Sequence, residues 1–118
     1  MSDLVQINRE DRLVVVTMLE KAGHEVTAVE TGDRAVEAVL EGRFDIVLMD
    51  VRMPVMNGYE SSKGIKAFDP RAKILMVTGH PGDQLARRSV AEGFVASILP
   101  KPCTLESLYA RVCTVLRG

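Results

Sequence analysis

The sequence predicts an α/β fold in which a parallel sheet is covered by helices on both faces. Three observations carry this. Five short apolar runs alternate with five amphipathic stretches along 118 residues, the order that a parallel sheet requires because each strand needs a crossover before the next. The runs Ile46-Val47-Leu48-Met49 and Ile74-Leu75-Met76-Val77 contain no polar residue, so they read as strands buried on both sides. With three Phe, two Tyr and no Trp against six Met, the core has to be aliphatic and methionine-filled.

Taken in order, Leu4-Val5-Gln6-Ile7 is a short first strand. Val14, Val15, Met18, Leu19 and Ala22 follow at helical spacing; the run Val14-Val15-Val16 suits a strand by propensity, but length and the ending at Ala22-Gly23 decide for helix. Glu25 to Val29 is strand two, after which Thr31 caps a helix carrying Ala35, Val36, Val39 and Leu40 on one face and stopping at Gly42. Asp45 to Met49 is strand three. A helix over about Tyr59 to Phe68 contains Gly64, unfavourable by about 1 kcal/mol relative to Ala, and is ended by Pro70.

Ile74 to Val77 is strand four and stops at Thr78-Gly79. Asp83 caps a helix holding Leu85, Ala86, Val90 and Ala91 and ending at Gly93. Phe94 to Leu99 is strand five, delivering Pro100-Lys101-Pro102 at its end. Thr104 caps a last helix with Leu105, Leu108, Val112 and either Val115 or Leu116 turned inward. No linker, low-complexity tract or internal repeat interrupts the pattern, so residues 1–118 read as one domain.

A net charge of -1 without any basic run supplies no field to attract nucleic acid or anionic lipid. No apolar stretch approaches the roughly 18 residues of a membrane span, and the polar start Met1-Ser2-Asp3 is no signal peptide. A cytoplasmic protein is expected. Cys103 and Cys113 have neither CxxC spacing nor paired histidines, which favours idle or buried thiols over a disulfide or zinc site.

Asp50, Thr78 and Lys101 each fall at the carboxyl end of a separate predicted strand, the edge where open α/β sheets gather ligands and reacting groups. Singly each has a bland reading, as a turn residue or a solvated lysine. Together they carry more. D-x-x-M-P-x-M-N-G from Asp50 to Gly58, V-T-G closing strand four and L-P-K-P closing strand five resemble a response-regulator receiver domain over nearly the whole chain.

The resemblance implies a flavodoxin-like (βα)5 three-layer sandwich with sheet order 2-1-3-4-5. It implies that Asp50 takes a phosphoryl group from a histidine kinase or phosphotransfer protein, that the Thr78 hydroxyl hydrogen-bonds the phosphoryl oxygens, and that Lys101 pairs with them. A cis Lys101-Pro102 peptide would aim that lysine inward. Helix four, strand five and helix five form the face on which such domains dimerise or meet an output domain. Arg87, Arg88, Arg111 and Arg117 give this face a mild cationic bias. Such a domain is no enzyme beyond its own phosphorylation and dephosphorylation.

The pattern breaks at the metal pocket. Where the family carries two adjacent acids that help hold magnesium, this chain has Gln6 and Ile7, whereas magnesium wants one or two carboxylates in near-octahedral oxygen coordination. Of the ligands implied by the family, Asp50 and the backbone carbonyl of Arg52 are left. Glu10 and Asp11 lie a few residues on, but they read more economically as charges at the start of helix one. No bound cofactor is expected, and magnesium only weakly. At the switch position the usual Tyr or Phe is replaced by Ile98.

The leading expectation is therefore a phosphorelay receiver with weakened magnesium dependence and rate. The alternative is a pseudo-receiver that docks proteins independently of phosphorylation. A flavin or nucleotide carrier on the same fold is disfavoured, because Asn8-Arg9-Glu10-Asp11 places anionic side chains where a phosphate would need Gly, Ser or Thr.

Overall fold

The computed structural model describes residues 2–6, 16–29, 32–42, 44–49, 58–79, 82–100 and 104–117. Five strands, β1 (Ser2–Gln6), β2 (Glu25–Ala28), β3 (Ile46–Met49), β4 (Ile74–Thr78) and β5 (Ser97–Pro100), form one parallel sheet in the order β2-β1-β3-β4-β5. The helices are α1 (residues 16–21), α2 (Gly32–Glu41), α3 (Gly58–Phe68), α4 (Gln84–Ala91) and α5 (Leu105–Arg117).

Every residue of β3 and β4 is buried, as expected for central parallel strands covered on both sides. Alternation along the strands divides them between two cores. Ile46, Leu48, Leu75, Val77 and Leu99 pack with Leu19 of α1 and with Leu108, Val112 and Val115 of α5. Val47, Met49, Ile74 and Met76 pack with Ala35 and Val39 of α2, Ile65 of α3 and Ala86 of α4. The result is the three-layer sandwich.

Two helix ends share one device. Gly23 (φ 92) and Gly93 (φ 81) occupy the left-handed region, which lets His24 N–H reach Leu19 O at 3.0 Å and Phe94 N–H reach Ser89 O at 2.9 Å. Both are Schellman closures. At the other end of α4 the Asp83 carboxylate accepts from Leu85 N–H at 2.8 Å, the predicted cap. Gly64 sits inside α3 as predicted, and a Cβ built there would lie 3.6 Å from Val36 Cγ2, so α2 and α3 pack closely at this point.

Several inward-facing assignments need correction. Leu40 is 51% exposed, because α2 buries the stripe Gly32, Ala35 and Val39 and the next residue is turned about 100° away. On α4, Val90 and Ala91 are exposed and Ser89 is buried in their place. Its hydroxyl donates to Leu85 O at 2.8 Å, so the small polar side chain is satisfied inside. Ala22 belongs to the turn after α1 and is exposed. Strand five starts at Ser97 rather than Phe94, because the N–H groups of Phe94 and Val95 are spent on Ser89 O. Of the two candidates near the end of α5, Val115 is the buried one. Cys113 is a half-buried free thiol, and Cys103 lies outside the described residues.

Candidate functional site

The parallel register brings the carboxyl ends of four strands to one edge. Gln6 pairs with Met49, Met49 with Met76 and Met76 with Ile98; two residues further along, Thr78 pairs with Pro100. The last residues of β1, β3 and β5 therefore lie within two rows of Thr78. A crevice forms where neighbouring crossovers leave opposite faces of the sheet, as they do between β1 and β3: α1, which follows β1, packs on one core and α3, which follows β3, on the other.

Thr78 ends β4 and is fully buried. Its neighbours in β4, Ile74 to Val77, are all hydrocarbon or thioether, so it brings a lone hydroxyl to the rim of an apolar strand. Strand alternation places it on the same side as Met76, facing the α2–α3–α4 core. Ile98 is half-buried and packs against that core. Gln6 is the last residue of β1. Asp50, Arg52, Ile7, Glu10, Asp11 and Lys101, with the Lys101-Pro102 peptide, lie outside the described residues. Asp50 and Lys101 are covalently joined to Met49 and Pro100, the residues that end β3 and β5.

Between α3 and α4 the structure reveals a cluster not anticipated from the sequence. Tyr59, at the start of α3 and 8% exposed, donates its hydroxyl proton to Glu92 Oε1 at 2.9 Å. Arg88 Nη2 donates to the same hydroxyl at 3.0 Å, and the guanidinium carbon sits 4.7 Å from the ring centroid. Arg88 also pairs with Glu92 at 3.2 Å, and Phe94 tilts against the ring at 5.8 Å. The hydrogen bond to Glu92, then burial, pushes the Tyr59 hydroxyl above its usual pKa of 10.0. The one sequence signal was an aromatic residue directly after Asn57-Gly58. Arg88 is thus engaged internally, and so is Arg111, whose Nη1 donates to Ser97 Oγ at 2.6 Å and Ile98 O at 3.0 Å. Arg87 and Arg117 remain exposed.

The fold defines a flavodoxin-like α/β protein, in which the candidate site falls at the carboxyl ends of the strands. The sequence profile of the response regulator receiver domain matches residues 5–113, and the chain belongs to that family of two-component signalling domains. It is 34% identical over 99 residues to a response regulator receiver protein of Anaeromyxobacter sp. (strain Fw109-5), with 84% of this chain and 41% of that protein covered. It is 35% identical over 105 residues to the response regulator receiver protein CpdR of Brucella abortus (strain 2308), with 89% and 87% covered. Among sensor-kinase relatives it spans 12% of their length. The receiver domain of sensor histidine kinase PA1611 from Pseudomonas aeruginosa PAO1, a structure with magnesium in its active-site cleft, superimposes with a TM-score of 0.88. That match has 27% identity and covers 99% of this chain and 98% of the other. Among the described residues no helix is long and apolar enough to cross a membrane.

Proposed function

We propose that Asp50 accepts a phosphoryl group from a histidine kinase or phosphotransfer protein in the cytoplasm, with Thr78 and Lys101 holding the phosphoryl oxygens. The observation that carries this is the strand register: Met49 and Pro100, the neighbours of Asp50 and Lys101 in the chain, end their strands within two rows of the buried Thr78. In the transfer a carboxylate oxygen of Asp50 bonds to phosphorus as the bond from phosphorus to the donor histidine nitrogen breaks. A carboxylate is a weak nucleophile, so catalysis consists of alignment and of neutralising the equatorial oxygens. A hydroxyl donor and an ammonium do this. In this reading the chain turns over no other substrate.

The donor set does not fit a tight magnesium site. Gln6 offers a neutral amide and Ile7 a hydrocarbon where carboxylates are needed, leaving Asp50 and one carbonyl, that of Arg52. Asp50 and Lys101 together carry a charge of about zero, so little draws a divalent cation in. Phosphorylation is accordingly slow and weakly dependent on magnesium. With Ile98 at the switch position, a change at Thr78 is passed on through packing against the α2–α3–α4 core rather than by an aromatic rotamer. The partner or output surface in this reading is α4, β5 and α5.

Intact mass after incubation with acetyl phosphate, with and without magnesium, tests the proposal. Slow addition of one phosphoryl group, little changed by magnesium and absent in Asp50→Asn, is expected. Rapid addition that requires magnesium overturns the metal part. No addition under either condition overturns the acceptor role and leaves a protein-docking domain whose binding is indifferent to Asp50→Asn.

A further inference from the structure

The opposite end of the sheet holds a second polar feature. A cleft of about 620 Å³ opens at the amino-terminal ends of β4 and β5, between the carboxyl ends of α3 and α5. Lys66, Arg71, Lys73 and Arg111 line it, together with the hydroxyl residues Ser97 and Thr114, and among the described residues no Asp or Glu does. In a chain of net charge -1 this is a local concentration of positive charge, and a concave low-dielectric wall focuses such a field.

Cations are ordinary at helix carboxyl ends, where they meet unpaired carbonyls and the negative end of the dipole. That accounts for part of the cluster. Lys66 Nζ donates to Pro70 O at 3.0 Å and to Ala72 O at 2.8 Å, and Lys73 Nζ donates to Leu116 O at 2.6 Å. It does not account for the rest. Lys73 keeps two further ammonium donors, Arg111 uses only Nη1, and the Arg71 guanidinium has no partner among the described residues. Asp69, near Arg71 in the chain, accepts from Arg71 N–H at 3.1 Å, and Glu92 serves Arg88 and Tyr59.

We propose that this cleft binds a small phosphate-bearing anion, of diphosphate to mononucleotide size, at a site separate from the acceptor edge. Its volume is that of small-molecule sites, about 300–1,000 Å³. Two guanidinium groups offer the forked donors that match phosphate oxygens, and a lysine adds a point charge. Ala72, Ile74 and Val115 supply an apolar lining that inorganic diphosphate leaves unused and a nucleoside covers.

The test is a titration of ¹⁵N-labelled protein with inorganic pyrophosphate, and separately with ADP, in metal-free buffer of low ionic strength. The amides of Lys73, Ala96, Ser97 and Thr114 are expected to shift saturably while those of Thr78 and Gly79 stay in place, with ADP binding the tighter. Arg71→Glu, an exposed position whose side chain makes no hydrogen bond or ion pair among the described residues, weakens binding by about tenfold or more, the effect of losing one charge-assisted contact. Arg87→Glu, elsewhere on the surface, leaves it unchanged. Shifts confined to Thr78 and Gly79, non-saturating shifts, or equal binding by Arg71→Glu overturn the site. The spectra themselves report whether each variant is folded.

Discussion

The two faces of the sheet are held by different means. Toward α1 and α5, every core residue is aliphatic, from Leu19 and Ile46 to Leu108, Val112 and Val115. Toward α2, α3 and α4, alanines, methionines and the buried hydroxyls Ser61, Ser62 and Ser89 share the space, and the Tyr59–Arg88–Glu92 cluster ties α3 to α4. Hydrocarbon burial is non-directional and scales with area; it supplies most of the hold on α5, to which Arg111 adds bonds to Ser97 Oγ and Ile98 O and Lys73 one to Leu116 O. Hydrogen bonds and close backbone approach specify position at little net energy. In this protein the short, polar-anchored α4 is the element whose placement depends on a few named contacts.

Four measurements break or sharpen that contrast. Leu108→Ala, at a site 1% exposed, is expected to cost about 3 kcal/mol in urea denaturation, the usual price of a buried cavity. A loss below about 1 kcal/mol would mean that α5 is not held by burial. Asp83→Ala removes the cap of an eight-residue helix and should lower stability by about 1 kcal/mol, with amide exchange accelerated in α4 first.

Gly64→Ala should act in the opposite direction, stabilising by up to about 1 kcal/mol through helix propensity. The new methyl group meets Val36 Cγ2 at an ordinary 3.6 Å; a net loss would reveal a tighter contact between α2 and α3. The smallest effect is at alkaline pH. Because the folded protein holds the Tyr59 proton more tightly than the unfolded chain does, that contribution is complete below the unfolded value near 10 and is lost as pH rises through the folded one. Tyr59→Phe should therefore flatten the fall of the urea midpoint on the alkaline side of about pH 10; an unchanged slope would remove the Glu92 hydrogen bond from the account.

Strand and helix alternation, the apolar centres of β3 and β4, the Asp83 cap and the glycine ends of α1 and α4 were all legible in the sequence. Each is a local preference written into a few adjacent residues. The place of Thr78 at the end of β4 was legible for a related reason: strand ends and turn residues mark themselves, and parallel topology brings the carboxyl ends of the strands together. The azimuth of each helix was harder to read. Leu40 and Val90 fit an apolar stripe as well as their neighbours do, and one residue's difference is a rotation of about 100°. Only the packed neighbours choose between them.

What the chain by itself determined is the order of its elements and where its strands end, because periodicity, caps and breakers act over a turn or two. What tertiary structure decided is which side chains meet across that distance. Tyr59 with Glu92, Gly64 with Val36 and Arg111 with Ile98 meet across 13 to 33 residues of sequence, and Arg111 joins Lys66, Arg71 and Lys73 around one cleft from 38 to 45 residues away. No local preference encodes such meetings; they follow from the register of the sheet and the shape of the two cores.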